Sequence, residues 1–200
     1  MSEYKMDKEM QRFFETEVAP ALTLLINGKY RFHAIQKECN ELWKQFKKIY
    51  HRQLQTRVCD KPFAGSYEST EGILSPFCIF MDNGSPNVAI SVPHLKILHE
   101  EMKRASATFK QLFETFIVAG YMHELYHLVL ELVNPPTKAE SLEAEIVVWA
   151  KTCENVMKPF REMYHCELYG DNGLAYEIWV KCGRNPQSAQ WKEFIAQLYP

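Results

Sequence analysis

The chain has no cysteine pair at CxxC spacing, no long apolar run, no marked excess of either charge and no internal repeat or low-complexity tract. Each absence removes a class. The six cysteines (Cys39, Cys59, Cys78, Cys153, Cys166 and Cys182) are scattered, and they read as free buried thiols rather than a disulfide framework. The longest apolar stretches, such as Phe116 to Gly120, fall far short of a membrane span. The opening MSEYKMDKEMQRFF interleaves charge with apolar side chains and lacks the uninterrupted apolar segment of a secretion signal. A soluble, cytoplasmic protein with no membrane partner is therefore expected. Lysine and arginine number 23 against 25 aspartates and glutamates, a net charge of -2, so no broad basic face exists and no direct nucleic-acid binding is expected.

What is present suffices for a core. Hydrophobic residues make up 46% and aromatics 13% of 200 residues, which fits one globular domain of ordinary size and not a disordered chain. Residues 3 to 26 read as helix with a break or bend at Pro20, and Asn27-Gly28 reads as its stop. From Tyr30 to about Gln55, Phe32, Ile35, Cys39, Leu42, Phe46 and Ile49 recur at steps of three and four, the period of a helix with one buried stripe. Its lysines and arginines are interrupted by acidic residues and read as a solvated surface.

Between Val58 and Val92 the texture changes. Proline and glycine punctuate two short runs, Ile73 to Met81 and Asn87 to Val92, and the intervening Asp82-Asn83-Gly84-Ser85-Pro86 is turn chemistry. An antiparallel hairpin follows, with Pro76 confining its strand to an edge or a bulge. Helix resumes around Leu95 to Lys103 and again from about Ser106 to Val133, where Pro135-Pro136 ends it. Thr137 and Glu140 have capping-box spacing and open a helix through Leu142, Ile146, Trp149, Cys153 and Val156. Gly170-Asp171-Asn172-Gly173 reads as a turn, and Ser188 to Leu198 as the last helix. The expected fold is α+β and mainly helical, with a small antiparallel sheet beside the long helix. Residues 1–56 form a helical N-terminal extension and 57–200 the principal domain, and the two can form one unit.

One pentapeptide carries chemistry: His123-Glu124-Leu125-Tyr126-His127, an H-E-x-x-H motif inside the long helix. Histidines four apart project from one face about one turn apart, so both rings can reach a single zinc ion. In that arrangement the metal lowers the pKa of a bound water, and Glu124 is placed to take its proton as general base. Phe109, Leu112, Phe113, Phe116 and Gly120 lead into His123 and His127 along the core-facing stripe. Two neutral imidazoles buried there without a common partner would leave polar nitrogens unsatisfied.

A catalytic zinc takes three protein ligands and keeps one position for solvent. The metzincin pattern would require glycine at 130 and histidine at 133, where the chain has Leu130 and Val133. Glutamates on the following helix remain: Glu140, Glu143 and Glu145. Two antiparallel helices joined near Pro135 place position 145 opposite position 125, the mean of the two histidines, with 143 to 147 within a turn of it. Glu140 would lie roughly 7 Å along the axis and suits the capping box better. Glu143 continues into Ile146, Val147 and Ala150, and Glu145 into Val148, Trp149 and Val156, so helix phase leaves both open.

HELYH followed by a glutamate on the next helix resembles the gluzincin zinc metallopeptidases. Residues 143 to 150, Glu-Ala-Glu-Ile-Val-Val-Trp-Ala, are most similar to the E-x-E-A-[ND]-x-F-A stretch of the ImmA/IrrE-like intracellular peptidases. The resemblance implies a zincin-like fold, a Zn2+ held by His123, His127 and Glu143, and Glu124 as the catalytic glutamate. It also implies a regulatory protease acting on a protein or peptide substrate such as a transcriptional repressor. By the same resemblance Asn87 to Val92 supplies a strand edge for extended substrate, and His165, Tyr164, Tyr169 or Tyr176 a donor to the oxyanion. His33, His51, His94 and His99 are expected on helix surfaces or junctions. The alternative is a zinc-binding regulatory or interaction module with little hydrolytic activity, suggested by the helices before residue 57.

Overall fold

A computed structural model describes residues 6–60, 76–130, 137–165, 167–168 and 170–199. The first helical stretch is α1 (Lys8–Phe13), a π-helical turn (Phe14–Val18) and α2 (Ala19–Ile26). Pro20 explains the interruption, because its ring collides with the carbonyl four residues back in a regular α-helix. The widened turn, in which the Ala19 amide donates to the Phe14 carbonyl, precedes it and lets the chain continue as helix. The long second helix is α3 (His33–Tyr50), which buries Ile35, Cys39, Leu42 and Phe46 as its periodicity requires. It ends at His51, whose left-handed φ of 54° closes the helix.

Three strands follow: β1 (Thr56–Cys59), β2 (Phe77–Asp82) and β3 (Ser85–Ser91). The hairpin forms at its expected turn. Asn83 and Gly84 both adopt positive φ (48° and 77°), the two-residue geometry whose twist matches the flanking strands. The part of the first expected strand before Pro76 lies outside the described residues. The sheet order is β1-β3-β2, with β1 parallel to β3, so the sheet is mixed rather than antiparallel. β1 is only four residues long and has no turn linking it locally to its partner, so no local pattern announced it. A parallel partner is found only through a tertiary crossover.

The remaining helices are α4 (Val92–Ala105), α5 (Phe109–Val129), α6 (Lys138–Thr152), a second π-helical turn (Cys153–Met157), α7 (Lys158–Tyr164), α8 (Gly170–Lys181) and α9 (Ala189–Leu198). The motif helix ends at Val129, short of the expected Val133, and the proline pair expected to stop it lies outside the described residues. Thr137 and Glu140 form the full capping box, with the Thr137 side chain accepting from the Glu140 amide at 3.2 Å and Glu140 accepting from the Thr137 amide at 3.1 Å. The expected turn at Gly170 to Gly173 is instead the first turn of α8. Glycine is needed at 173 because a Cβ there would meet the Leu168 carbonyl oxygen at 2.3 Å.

α5 is the hub. It packs against α2, α3, α4, α6, β2 and β3 and buries residues on every side, so one helix carries the motif through the middle of the core. Gly120 seats the sheet against it: a Cβ at this position would lie 2.4 Å from the Phe77 ring of β2. The amino-terminal helices share the same hydrophobic core, with Val18, Leu22, Leu25, Ile35 and Phe46 buried alongside Ile117, Tyr121 and Leu125. Polar ties reinforce the contact. The Tyr126 hydroxyl donates to Glu38 of α3 at 2.8 Å, and Asn155 Nδ2 donates to the same carboxylate at 3.1 Å. Among the described residues, no helix is long and apolar enough to cross a membrane. The five described cysteines are free thiols.

Candidate metal centre

α5 and α6 lie side by side, and the face of α5 that carries the motif histidines meets α6 at Glu145. The Nε2 atoms of His123 and His127 are 3.3 Å apart. Glu145 approaches both, with Oε2 at 3.3 Å from His123 Nε2 and Oε1 at 3.2 Å from His127 Nε2. His127 and Glu145 are buried and His123 is partly buried. Glu145 Oε2 receives no hydrogen bond, although it is shielded from solvent. Such an oxygen, with the His123 ring nitrogen beside it, is costly unless a positive partner joins them.

The three groups can hold a metal ion. Their ligand atoms all lie within 4.8 Å of one another. Two imidazole nitrogens and a carboxylate form a donor set used by catalytic metal sites. An ion bound tetrahedrally at about 2.0–2.1 Å would space its ligand atoms about 3.3–3.4 Å apart. The 3.3 Å between the two ring nitrogens matches that spacing, and the carboxylate places Oε2 at 3.3 Å from His123 Nε2 and Oε1 at 3.2 Å from His127 Nε2.

Glu143 does not join the cluster. It is exposed on the solvent side of α6, in a stripe with Glu140, Val147 and Lys151, while Glu145, Val148 and Thr152 face inward. The residue that the family resemblance implies as third ligand thus lies outside the cluster, and Glu145, two positions on, stands in it. The mirror relation about Pro135 admits both Glu143 and Glu145; the 100° advance per residue decides between neighbours, and only the seating of α6 sets its absolute phase.

Glu124 is partly buried and lies within electrostatic reach of His123, His127 and Glu145. Burial pushes its carboxyl up, the two histidines pull it partly back, and Glu145 pushes in the same direction as burial. For Glu145, burial acts upward too, but the adjoining rings of His123 and His127 outweigh it and hold this carboxyl well below the ordinary range. Two carboxylates of one site are thereby driven apart: Glu145 stays ionised, and Glu124 is biased toward accepting a proton.

Contacts around the trio were not evident from spacing. The Trp149 ring stands edge-on to His123 with centroids 5.1 Å apart, and Trp149 Nε1 donates to the Tyr199 hydroxyl at 3.0 Å. Trp191 Nε1 donates to the Ile146 carbonyl at 3.0 Å, which fixes the back of α6. Cys78 of β2 lies close enough to Glu124 for the carboxylate to raise its thiol pKa.

The other expected positions resolve differently. Asn87 to Val92 is not an edge: β3 is the central strand, paired on both sides, and β2 is the outer strand of the hairpin among the described residues. Tyr164 donates to Glu114 at 2.7 Å and packs beside Phe32, whereas Tyr176 packs against Arg161. His165 is exposed at the end of α7 with φ of 50°. None of these contacts involves the His123–His127–Glu145 trio, and Tyr169 lies outside the described residues. His94 and His99 are buried, not superficial; His99 is wedged among Phe13, Phe109 and Phe113. His33 and His51 are exposed. No protein-family model, curated protein or solved structure matches the chain.

Proposed function

We propose that this chain is a cytoplasmic zinc metallopeptidase of gluzincin type, with His123, His127 and Glu145 as metal ligands and Glu124 as the catalytic glutamate. The observation that carries the reading is the convergence of two ring nitrogens 3.3 Å apart with a carboxylate that sets one oxygen 3.2 to 3.3 Å from each of them, brought together by two neighbouring helices. Zinc bound there would supply Lewis acidity, polarising a carbonyl and lowering the pKa of water.

The protein side of the chemistry follows from the residues. Glu145 remains anionic at neutral pH and balances part of the ion's charge. Glu124 stands one position from His123, within electrostatic reach of both histidines and Glu145, and its raised pKa suits an acid–base group that first takes a proton from water and then gives it to the leaving amine. Burying the donors in the core between α5 and α6 limits competing solvent, which strengthens each electrostatic contact. The zincin-like arrangement is supported by element order: hairpin, motif helix, then glutamate helix. A peptide or protein is the substrate, and the family resemblance favours a regulatory protein.

Substituting Glu124 by Gln tests the assignment. The variant should bind one equivalent of zinc, as measured by metal analysis after dialysis, and lose peptide hydrolysis by at least about 100-fold, the lower end of general acid–base contributions. Full hydrolysis by Glu124→Gln, or purified protein with no zinc at all, would overturn the proposal. A zinc-bound protein that hydrolyses no peptide in a mixed peptide library would favour the regulatory module instead.

A further inference from the structure

Behind His123, on the side away from Glu145, stands Thr152, the last residue of α6 and only 1% exposed. Its Oγ1 is 3.4 Å from His123 Nδ1 and 2.9 Å from the Val148 carbonyl oxygen of its own helix. A hydroxyl carries a single hydrogen. The carbonyl can only accept, so that hydrogen goes to Val148, a back-bond familiar for threonine in helices. What remains toward the histidine is a lone pair, and an oxygen lone pair at this distance needs a hydrogen on Nδ1.

We infer that Thr152 is a positioning residue for the metal centre: through Oγ1 it holds His123 in the tautomer protonated on Nδ1, leaving the Nε2 lone pair bare toward the metal. The inference rests on the metallopeptidase reading and adds to it a residue that neither the H-E-x-x-H spacing nor the glutamate search identifies. Two independent contacts on opposite sides of one ring agree. Nδ1 meets an acceptor, and Nε2 is the atom that faces both His127 Nε2 and Glu145 Oε2 at 3.3 Å. A ring flipped about its Cβ–Cγ bond would lose this match on both sides at once. The Trp149 ring, edge-on at 5.1 Å, restricts such a flip. Outer partners of metal-bound imidazoles commonly set tautomer and basicity in this way. Here the outer partner and a ligand share one face of one helix, since Glu145 and Thr152 are seven residues, or about two turns, apart.

The test uses the full chain and zinc alone as probe. Zinc affinity is measured by competition with a chromophoric chelator for the wild type, Thr152→Val and Thr152→Ser, and long-range proton–nitrogen NMR of the histidine side chains reports which ring nitrogen of His123 carries hydrogen. The expected result is an affinity about 10–100-fold lower for Thr152→Val, which keeps the shape and removes the acceptor, with recovery in Thr152→Ser. His123 in the wild type should carry hydrogen on Nδ1. Unchanged affinity in a folded Thr152→Val, or hydrogen on Nε2 of wild-type His123, overturns the inference while leaving the metal site intact. If Thr152→Val does not fold, the wild-type spectrum and the Thr152→Ser affinity decide. Wild-type protein that binds no zinc overturns the metallopeptidase reading itself, an outcome the variants cannot mimic.

Discussion

Glu145 of α6 reaches across to His127 of α5 with 3.2 Å between Oε1 and Nε2, joining two helices that flank Pro135 and Pro136 in the sequence. Glu143, two residues earlier on the same helix, faces solvent. The two carboxylates therefore separate cleanly by experiment. Glu145→Gln should weaken zinc binding by more than the about 10–100-fold typical of an outer-shell partner, because a ligand charge is lost. Glu143→Gln should leave affinity and fold unchanged. Isothermal titration of zinc into each variant measures both, and equal losses would return Glu143 to the site.

Gly120 and Phe77 set a second expectation, in which two opposing effects can be ranked. Alanine in mid-helix is favoured over glycine by about 1 kcal/mol. Against this, the new Cβ would lie 2.4 Å from the ring of Phe77, itself only 2% exposed. Overpacking of this kind costs about 1–3 kcal/mol. Gly120→Ala should be net destabilising by up to about 2 kcal/mol in denaturant titration. Adding Phe77→Leu should recover part of the loss by opening space, so a stabilised Gly120→Ala single variant would contradict the packing described.

The Cys78 thiol is pushed up to about 12 by burial, with the Glu124 carboxylate and Cys59 adding to the effect. Thiol alkylation requires the thiolate, so Cys78 should react slowly at pH 8 and still be accelerating at pH 10. Replacing Glu124 by Gln removes one of the charges that raise it and should speed alkylation at fixed pH. Mass-spectrometric rates for the Cys78 peptide in both proteins test this, and identical rates would show that the carboxylate does not face the thiol.

Glu154 governs part of the acid limb of stability. Partial burial acts to raise its pKa, but Lys158 Nζ at 2.7 Å, Trp179 Nε1 at 3.3 Å and the charge of Arg184 lower it on balance. A carboxyl whose folded pKa lies below its unfolded value adds stability that is complete above about pH 4.3 and is lost as pH falls through the folded pKa. The group is more than a third exposed, so solvent screening keeps the effect modest. Glu154→Gln should flatten the fall in thermal midpoint between about pH 5 and pH 3 relative to the wild type. A parallel fall in both proteins would assign acid sensitivity elsewhere.

Local pattern accounts for much of what was legible. α3 shows its buried stripe in the steps from Ile35 to Phe46, the hairpin shows itself at Asn83-Gly84, and α6 begins at the Thr137–Glu140 box, since each depends on residues within a few positions of one another. The same holds for His123 and His127, whose common face follows from helix geometry alone. Elsewhere a local rule misled. Gly170 to Gly173 has turn composition yet opens α8, because glycine at 173 serves a close approach to the Leu168 carbonyl and not a reversal of the chain. β1 lacked any local signal, and its pairing with β3 made a central strand of what had been expected to be an edge.

The amino-acid order by itself determined that two imidazoles, and a glutamate between them, stand on one buried helix, because a periodicity of 3.6 residues is a property of the backbone. It also brought a second helix carrying several carboxylates back alongside the first. Which carboxylate meets the rings was decided only by tertiary structure. The rotation of α6 about its own axis is set by packing of Val148, by the Trp191 anchor on the Ile146 carbonyl and by burial against α5, and that rotation turns Glu145 and Thr152 inward and Glu143 to water. Such a phase depends on contacts between segments far apart in the chain, which no window of sequence contains.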